Sequence, residues 1–216
     1  AEAADAARMA GTEQDPAETA APEVWTRGAM VAAADPRAVE AGLDMLRQGG
    51  SAVDAAIAVH AVLGLVEPQS SGIGGGAFMV YYDHDRDEIT VFDGRETAPA
   101  STTPDHFMKD GKPLGFLEAW QSGKAVGVPG QIALYKTSHD AAGKLDWDAL
   151  FQPAIQLAEE GFEVSPRLAN LLANPRLRGA TRLDDLPASS AYFYPDGEPL
   201  PVGFLRTNPD YADTLK

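Results

Sequence analysis

Residues 52–82 read AVDAAIAVHAVLGLVEPQSSGIGGGAFMVYY, and the order of the pieces in this stretch decides the fold. Ser51 stands before it as an N-cap, opening a helix that runs to about Leu65. Ala55, Ala56, Ile57, Val59, Ala61, Val62 and Leu63 make that helix apolar nearly all round, which predicts burial on most faces. Its many alanines permit close approach of neighbours, and Pro68 ends it. Ser70-Ser71-Gly72-Ile73-Gly74-Gly75-Gly76 follows, with four glycines in five residues: a loop that needs unusual backbone angles or close backbone approach. Phe78–Tyr82 and Ile89–Phe92 are then apolar, β-prone runs joined by the polar Asp83–Glu88, which predicts a β-hairpin. Glycine-rich loops at helix starts cradle phosphate through backbone N–H groups. The dinucleotide-binding order, however, is strand, glycines, helix, and here it is helix, glycines, strand. Neither a G-x-G-x-x-G with a suitably placed acidic residue nor a G-K-[ST] is present. Taken alone, the loop reads as a structural turn.

Toward the N-terminus, Gly49–Gly50 stops an earlier helix that begins with Asp35 as N-cap and Pro36 in the first turn, with Ala38, Leu43, Met45 and Leu46 as its apolar side. Gly28–Ala33 reads as a short buried strand. Residues 1–24 are Ala-rich and acidic with few large apolar side chains, so a flexible leader is expected, with a short helix over Glu2–Ala10 as the alternative. Residues 25–216 then form one incomplete domain. The chain starts at Ala1 and not at Met, which fits either a terminus left by cleavage of an exported protein or a trimmed chain.

Toward the C-terminus, Arg95-Glu96-Thr97-Ala98-Pro99 leaves the second strand, and residues 100–130 mix loop and short elements up to Gly127-Val128-Pro129-Gly130. Ile132–Lys136 starts a helix, and Asp146 caps another from Trp147 to about Glu160, stopped by Gly161. Its interior Pro153 predicts a kink or a start nearer Phe151. Ser165–Pro166 opens a helix to about Ala173. Residues 174–207 are rich in Pro, Gly and Asp, with the aromatic cluster Tyr192–Tyr194. Asn208–Pro209 opens a last helix with room for only two turns before Lys216, so the gene product is expected to continue.

Composition narrows the function classes. A chain of 216 residues with 44% apolar and 23% charged residues can bury a sizeable core. Net charge is −15 with no Lys/Arg cluster, which argues against nucleic acid and against anionic membrane surfaces as partners. The longest apolar run, Ala55–Val66, is too short to span a bilayer. The absence of cysteine removes disulfides, thiol catalysis and cysteine-based zinc sites.

Few side chains suggest chemistry on their own. His60, His84, His106 and His139 show no H-x-x-x-H or H-E-x-x-H spacing. His60 reads as a satisfied core residue, His84 and His139 as solvated loop residues, and no metal is expected. Asp83, Asp85 and Asp87 faintly resemble a calcium loop but lack the required Gly and Glu. Thr102–Thr103 and Ser189–Ser190 have no recognisable base beside them, and no G-x-S-x-G occurs. Arg95 follows a strand end and Gly94. In isolation it reads as a surface arginine paired with Glu96 or a loop carbonyl, although its planar fork also suits a carboxylate.

Three stretches together resemble the γ-glutamyltranspeptidase family. They are Gln48-Gly49-Gly50-Ser51-Ala52-Val53-Asp54-Ala55-Ala56, the segment Glu67–Phe78 with its glycines, and Phe92-Asp93-Gly94-Arg95-Glu96-Thr97-Ala98-Pro99-Ala100. Gly127-Val128-Pro129-Gly130, Ala158-Glu159-Glu160-Gly161-Phe162 and Pro209–Leu215 follow in the same order, so the resemblance runs from about Gly28 to Lys216. It implies an α/β (α+β) fold, a fragment of the four-layer αββα N-terminal-nucleophile hydrolase sandwich. It also implies a precursor that cleaves itself into large and small subunits. The new N-terminal Thr of the small subunit attacks the γ-glutamyl amide of glutathione or a similar compound, and the acyl group passes to water, an amino acid or a peptide. No cofactor is implied, and the expected location is periplasmic or extracellular.

Carried over, Arg95 is the expected clamp for the substrate α-carboxylate. Glu96 either shapes that pocket or is a surface carboxylate. Gly72, Gly74, Gly75 and Gly76 form a structural loop. The family's Thr-Thr-His or Thr-Ser-His cleavage signature is absent, and Thr102-Thr103-Pro104 does not fit it. The small subunit and its nucleophile are therefore expected outside this chain, which alone should be inactive. The alternatives are a cephalosporin acylase of the same superfamily, acting on a glutaryl side chain, a non-catalytic binding relative, and a nucleotide site at Gly72–Gly76.

Overall fold

The structure, a computed structural model, describes residues 28–216. The leader expected over residues 1–24 lies outside the described residues.

Two helices, α1 (Pro36–Arg47) and α2 (Ala52–Val66), form the first packed pair. Asp35 caps α1: its Oδ1 accepts the Arg37 N–H at 2.9 Å, and the Arg37 guanidinium grips the same carboxylate at 2.6 Å. Gly49 takes φ +87°, the left-handed turn that stops α1 and that glycine adopts without strain. Ser51 and Asp54 then make a reciprocal capping box at the start of α2. Ser51 Oγ accepts the Asp54 N–H at 3.1 Å and Asp54 Oδ2 accepts the Ser51 N–H at 2.7 Å. The two helices approach closely at Gly42, where a Cβ would stand 2.7 Å from Val59 and 3.0 Å from Val31.

The all-apolar reading of α2 holds, because α2 is the centre of the core. Ile57, Ala58, Ala61 and Val62 are fully buried, and each larger side chain among them contributes roughly 1.5–3 kcal/mol. Around α2 lie α1, α4 (Gln131–Ala142), a 3₁₀ turn (Trp147–Phe151), α5 (Gln152–Glu160) and α9 (Pro209–Leu215). Pro153 sits in the first turn of α5, so the expected long helix is broken at Phe151/Gln152. Asp146 makes no side-chain cap bond there. A smaller core joins Val164, Leu168, Leu172, Tyr194 and Leu200.

The hairpin forms as expected. β1 (Phe78–Asp83) pairs antiparallel with β2 (Glu88–Asp93) in the register Val80↔Val91 and Tyr82↔Ile89. Asp83 Oδ1 accepts the Asp85 and Arg86 N–H groups in the turn, and Asp87 closes it at φ +54°. One face of the hairpin, with Met79, Tyr81 and Phe92, packs on the core. The other bears Phe78, Val80, Tyr82, Ile89 and Val91, each between 52% and 70% exposed. Two further two-stranded pairs, β3 (Met108–Lys109) with β4 (Lys112–Pro113) and β5 (Phe162–Glu163) with β6 (Leu205–Arg206), complete the strands among the described residues. Short helices α3 (Phe116–Trp120), α6 (Pro166–Ala173), α7 (Pro175–Thr181) and α8 (Pro187–Phe193) fill the intervals.

Two readings change, and one unassigned stretch gains helices. Gly28–Ala33 belongs to no strand, since no described segment pairs with it, and it is not buried: Met30 is 79% exposed. Residues 174–207, unassigned from sequence, hold α7 and α8, each beginning on a proline whose fixed φ suits the first helical turn. His139 lies inside α4 with a side chain 16% exposed, not in a solvated loop. Its Nε2–H donates to the Leu145 carbonyl at 2.9 Å and faces Asp54 Oδ1 at 3.6 Å, while the ring packs edge-on against Trp147.

Candidate active site

Three backbone segments meet at the end of the hairpin. The ladder of β1 and β2 continues one step past the strands, where the Gly94 N–H donates to the Ala77 carbonyl at 2.9 Å. The Gly75 carbonyl accepts the Gly130 and Gln131 N–H groups, each at 3.1 Å, which ties the glycine loop to the first turn of α4. Thr97 and Val128 bridge as an antiparallel pair, with the Val128 N–H on the Thr97 carbonyl at 2.8 Å.

These segments are close enough that side chains are excluded between them. A Cβ on Gly76 would stand 2.4 Å from the Gly94 carbonyl oxygen, and one on Gly130 would stand 2.3 Å from it. The requirement for glycine at Gly76 is thus close approach and not backbone angle: none of Gly72, Gly74, Gly75 and Gly76 has a positive φ. Gly72 and Gly74 face open space, so sterics do not demand glycine there.

The clamped backbone delivers Arg95 and Glu96. The Arg95 N–H donates to Asp93 Oδ1 at 2.9 Å, which fixes the exit from β2. Glu96 is wedged between Gly76 and Gly127, where a Cβ on Gly127 would stand 2.8 Å from Glu96 Cβ. The Arg95 side chain is 69% exposed, and Nε pairs with Glu96 Oε2 at 3.3 Å. Among the described residues no hydrogen bond reaches its guanidinium, so the fork is available to a ligand. Arg95 and Glu96 line a cleft of about 500 Å³ with Gly74, His106, Lys124 and Gly127.

A second cleft of about 390 Å³ lies on the other side of the glycine loop, lined by His60, Ser70, Gly72, Gly76 and Glu96. Gly74 and Glu96 border both. His60 is satisfied by the Tyr135 hydroxyl at its Nδ1. Burial lowers the His60 pKa, and burial holds the Tyr135 phenol far above its ordinary value, so this pair is neutral at physiological pH. Glu67, 2% exposed at the base of the loop, is held by Arg167 at 2.6 Å and by Gln69 at 2.6 Å.

The structure therefore brings Arg95, Glu96 and the glycine loop to one place. Thr102 lines the same cleft, while the Thr103 hydroxyl donates to Asp105 at 2.6 Å. Among the described residues no histidine or amine is hydrogen-bonded to either threonine as a base. Lys124 and His106 were not legible as site residues. They lie 29 and 11 positions from Arg95, and only the folded loop 100–127 places them beside it.

No helix among the described residues is long and apolar enough to cross a membrane. The family model described as Gamma-glutamyltranspeptidase matches residues 38–216. The chain is 40% identical over 188 residues to the glutathione hydrolase proenzyme of Bacillus subtilis (strain 168), covering 87% of this chain and 31% of that protein. The fold matches the crystal structure of Helicobacter pylori γ-glutamyltranspeptidase with a TM-score of 0.81 and 32% identity, over 90% of this chain and 54% of that one. It also matches cephalosporin acylase from Bacillus halodurans with a TM-score of 0.69 and 30% identity, over 94% of this chain and 38% of that one. The α+β arrangement is thus part of the N-terminal-nucleophile hydrolase fold of these relatives. The chain spans about a third of the length of the curated relatives it matches. With its helix junction, glycine loop and Arg95 segment all inside the matched residues, the chain belongs to the γ-glutamyltranspeptidase family.

Proposed function

We propose that this chain is the substrate-anchoring part of a γ-glutamyltranspeptidase that cleaves the γ-glutamyl amide of glutathione or related compounds. Arg95 clamps the α-carboxylate of the γ-glutamyl group, and Glu96 shapes the pocket beside it. The observation that carries this reading is the unbonded Arg95 fork at the mouth of a cleft whose backbone is locked by close glycine contacts. The scissile bond of such a substrate is at its side-chain carbonyl, so the amino-acid end must be held as an anchor. A bidentate guanidinium fixes both its position and its angle.

The nucleophile belongs to a second polypeptide cut from the same precursor, an N-terminal Thr whose own amine serves as base. It forms an acyl-enzyme with release of the amine, and water or an amino acid then takes the acyl group. The apolar outer face of the hairpin, with Val80 70% exposed and Ile89 69% exposed, supports a partner sheet packing there. The enzyme works outside the cytoplasm, in the periplasm or beyond the cell.

The test is turnover by the complete, processed enzyme of glutathione against a glutaryl amide, which has no α-amino group. Preference for glutathione supports this reading, and preference for the glutaryl amide gives the acylase reading in its place. The isolated 216-residue chain is expected to hydrolyse neither.

A further inference from the structure

The cleft beside Arg95 has a charge balance opposite to that of the chain. The chain carries −15, yet the cleft lining holds Arg95 and Lys124 against a single carboxylate, Glu96. That carboxylate is already engaged by Arg95 Nε at 3.3 Å. One cation suffices for one substrate carboxylate, so Lys124 is unexplained by the clamp.

Lys124 is exposed but not free to roam. Its ammonium donates to the His106 carbonyl at 2.9 Å, and His106 Nε2–H donates back to the Lys124 carbonyl at 2.9 Å. This reciprocal pair holds the lysine on the cleft wall and leaves two of its three ammonium donors unused. Thr102 lines the same cleft, but its hydroxyl oxygen is buried and has no hydrogen-bond partner among the described residues, so the ammonium is the donor that faces the cleft. The nearby Asp105 carboxylate is not in the lining and takes the Thr103 hydroxyl at 2.6 Å; it feels the Lys124 charge but makes no ion pair with it.

We infer that Lys124 forms a second carboxylate site in this cleft. It takes the C-terminal carboxylate of the peptide on the leaving side of the scissile bond, so that γ-glutamyl peptides ending in a free acid are preferred. This rests on the Arg95 reading above. The two cations suit their tasks. The arginine fork fixes the angle of the end nearest the chemistry, and a lysine, a compact charge, tolerates variation in the distant end. A cleft of about 500 Å³ is within the range of sites for small ligands, and an extended tripeptide needs a reach of only ~10 Å.

The test compares glutathione, its C-terminal amide and γ-glutamyl-p-nitroanilide on the complete enzyme. Wild type is expected to favour the acid over the amide, and Lys124→Gln to cut that acid-over-amide ratio of kcat/KM by about 3- to 30-fold. Lys124→Arg restores the ratio, and added salt erodes it in the wild type and in Lys124→Arg but not in Lys124→Gln. If Lys124 is only a latch for the loop, Lys124→Gln lowers turnover of the acid and the amide alike, leaves their ratio unchanged, and overturns the site. Wild-type turnover of the anilide with no acid-over-amide difference also overturns this site while leaving the Arg95 clamp standing. Failure of the wild type on all three substrates removes the γ-glutamyl reading and this site with it.

Discussion

Gly76 lies against the carbonyl of Gly94, so close that a Cβ on Gly76 would stand 2.4 Å from its oxygen and 2.9 Å from the amide nitrogen of Glu96. Both atoms are backbone, and the Gly94 segment is itself pinned on its other side by Gly130 and Leu134. The position of Arg95 and Glu96 therefore depends on an absent side chain twenty residues earlier.

The substitution Gly76→Ala should force this stack apart. Overpacking against backbone costs about 1–3 kcal/mol, or roughly 2–10 °C in melting temperature for a domain of this size. Gly74→Ala meets open space at an ordinary backbone angle, and is expected to be neutral or slightly stabilising. Calorimetry on the complete enzyme separates the two. Equal losses would mean that backbone approach is not the reason for glycine in this loop.

Arg95→Lys retains the charge and loses the fork. If Arg95 holds the α-carboxylate, the change is expected to weaken binding of a γ-glutamyl substrate by about 10- to 1,000-fold, as loss of a charge-assisted bidentate pair does. The loss should fall on KM more than on kcat, because the clamp is made before the chemistry as well as during it. Unchanged apparent affinity would remove Arg95 from the role.

Local chemistry was legible in the sequence, and tertiary placement was not. The caps at Asp35, Ser51, Ser165 and Asn208 form as read, because a cap is decided by residues within one turn. Asn174–Pro175 carries the same signal as Asn208–Pro209: the Asn174 side chain accepts the Arg176 and Leu177 N–H groups. It was obscured by the many prolines around it, which here start helices and do not break them. His139 could not be placed from its neighbours in sequence, since its burial depends on Asp54 and Trp147 arriving from other elements. The glycine loop reads in sequence as needing unusual backbone angles or close approach; only the meeting with Gly94 shows close approach, at Gly76, while Gly72 and Gly74 meet open space. For Arg95, the sequence supplied the residue, and the cleft with its second cation came from folding residues 100–127 over it.

Asp54 joins that local world to the tertiary one. Its side chain is fully buried, and Oδ2 accepts N–H groups from Ser51 at 2.7 Å, Lys144 at 2.9 Å and Leu145 at 3.3 Å. Asp54→Ala strands three donors and deletes the capping box, and is expected to cost about 3–5 kcal/mol. Asp54→Asn keeps an acceptor oxygen for those donors and should cost less than half as much. Urea unfolding of the two variants reads the difference; matching losses would show that charge and not acceptor geometry is what the site requires.

Tyr211 gives a prediction in pH. Its hydroxyl donates to the Ala61 carbonyl of α2 at 2.8 Å, in space left by Gly64, where a Cβ would stand 2.7 Å from that oxygen. Burial pushes the phenol up from its ordinary value of 10 to about 12. Between those two values the unfolded chain has lost this proton and the folded chain still holds it. The unfolded state then binds fewer protons, and stability falls as pH rises. At neutral pH, Tyr211→Phe loses one buried hydrogen bond, about 1 kcal/mol. The variant cannot lose a phenolic proton, so the wild type's advantage over it should shrink through pH 10 to 12 and vanish or reverse at the upper end. Tyr192 and Tyr194 act equally in both proteins and cancel in the difference, while Tyr135, raised first by its burial and secondarily by Tyr211, keeps its proton in the fold through this range. Urea midpoints for the pair at pH 8, 10 and 11.5 test this, and a constant gap across the series would mean that the Tyr211 hydroxyl titrates as it does in the unfolded chain.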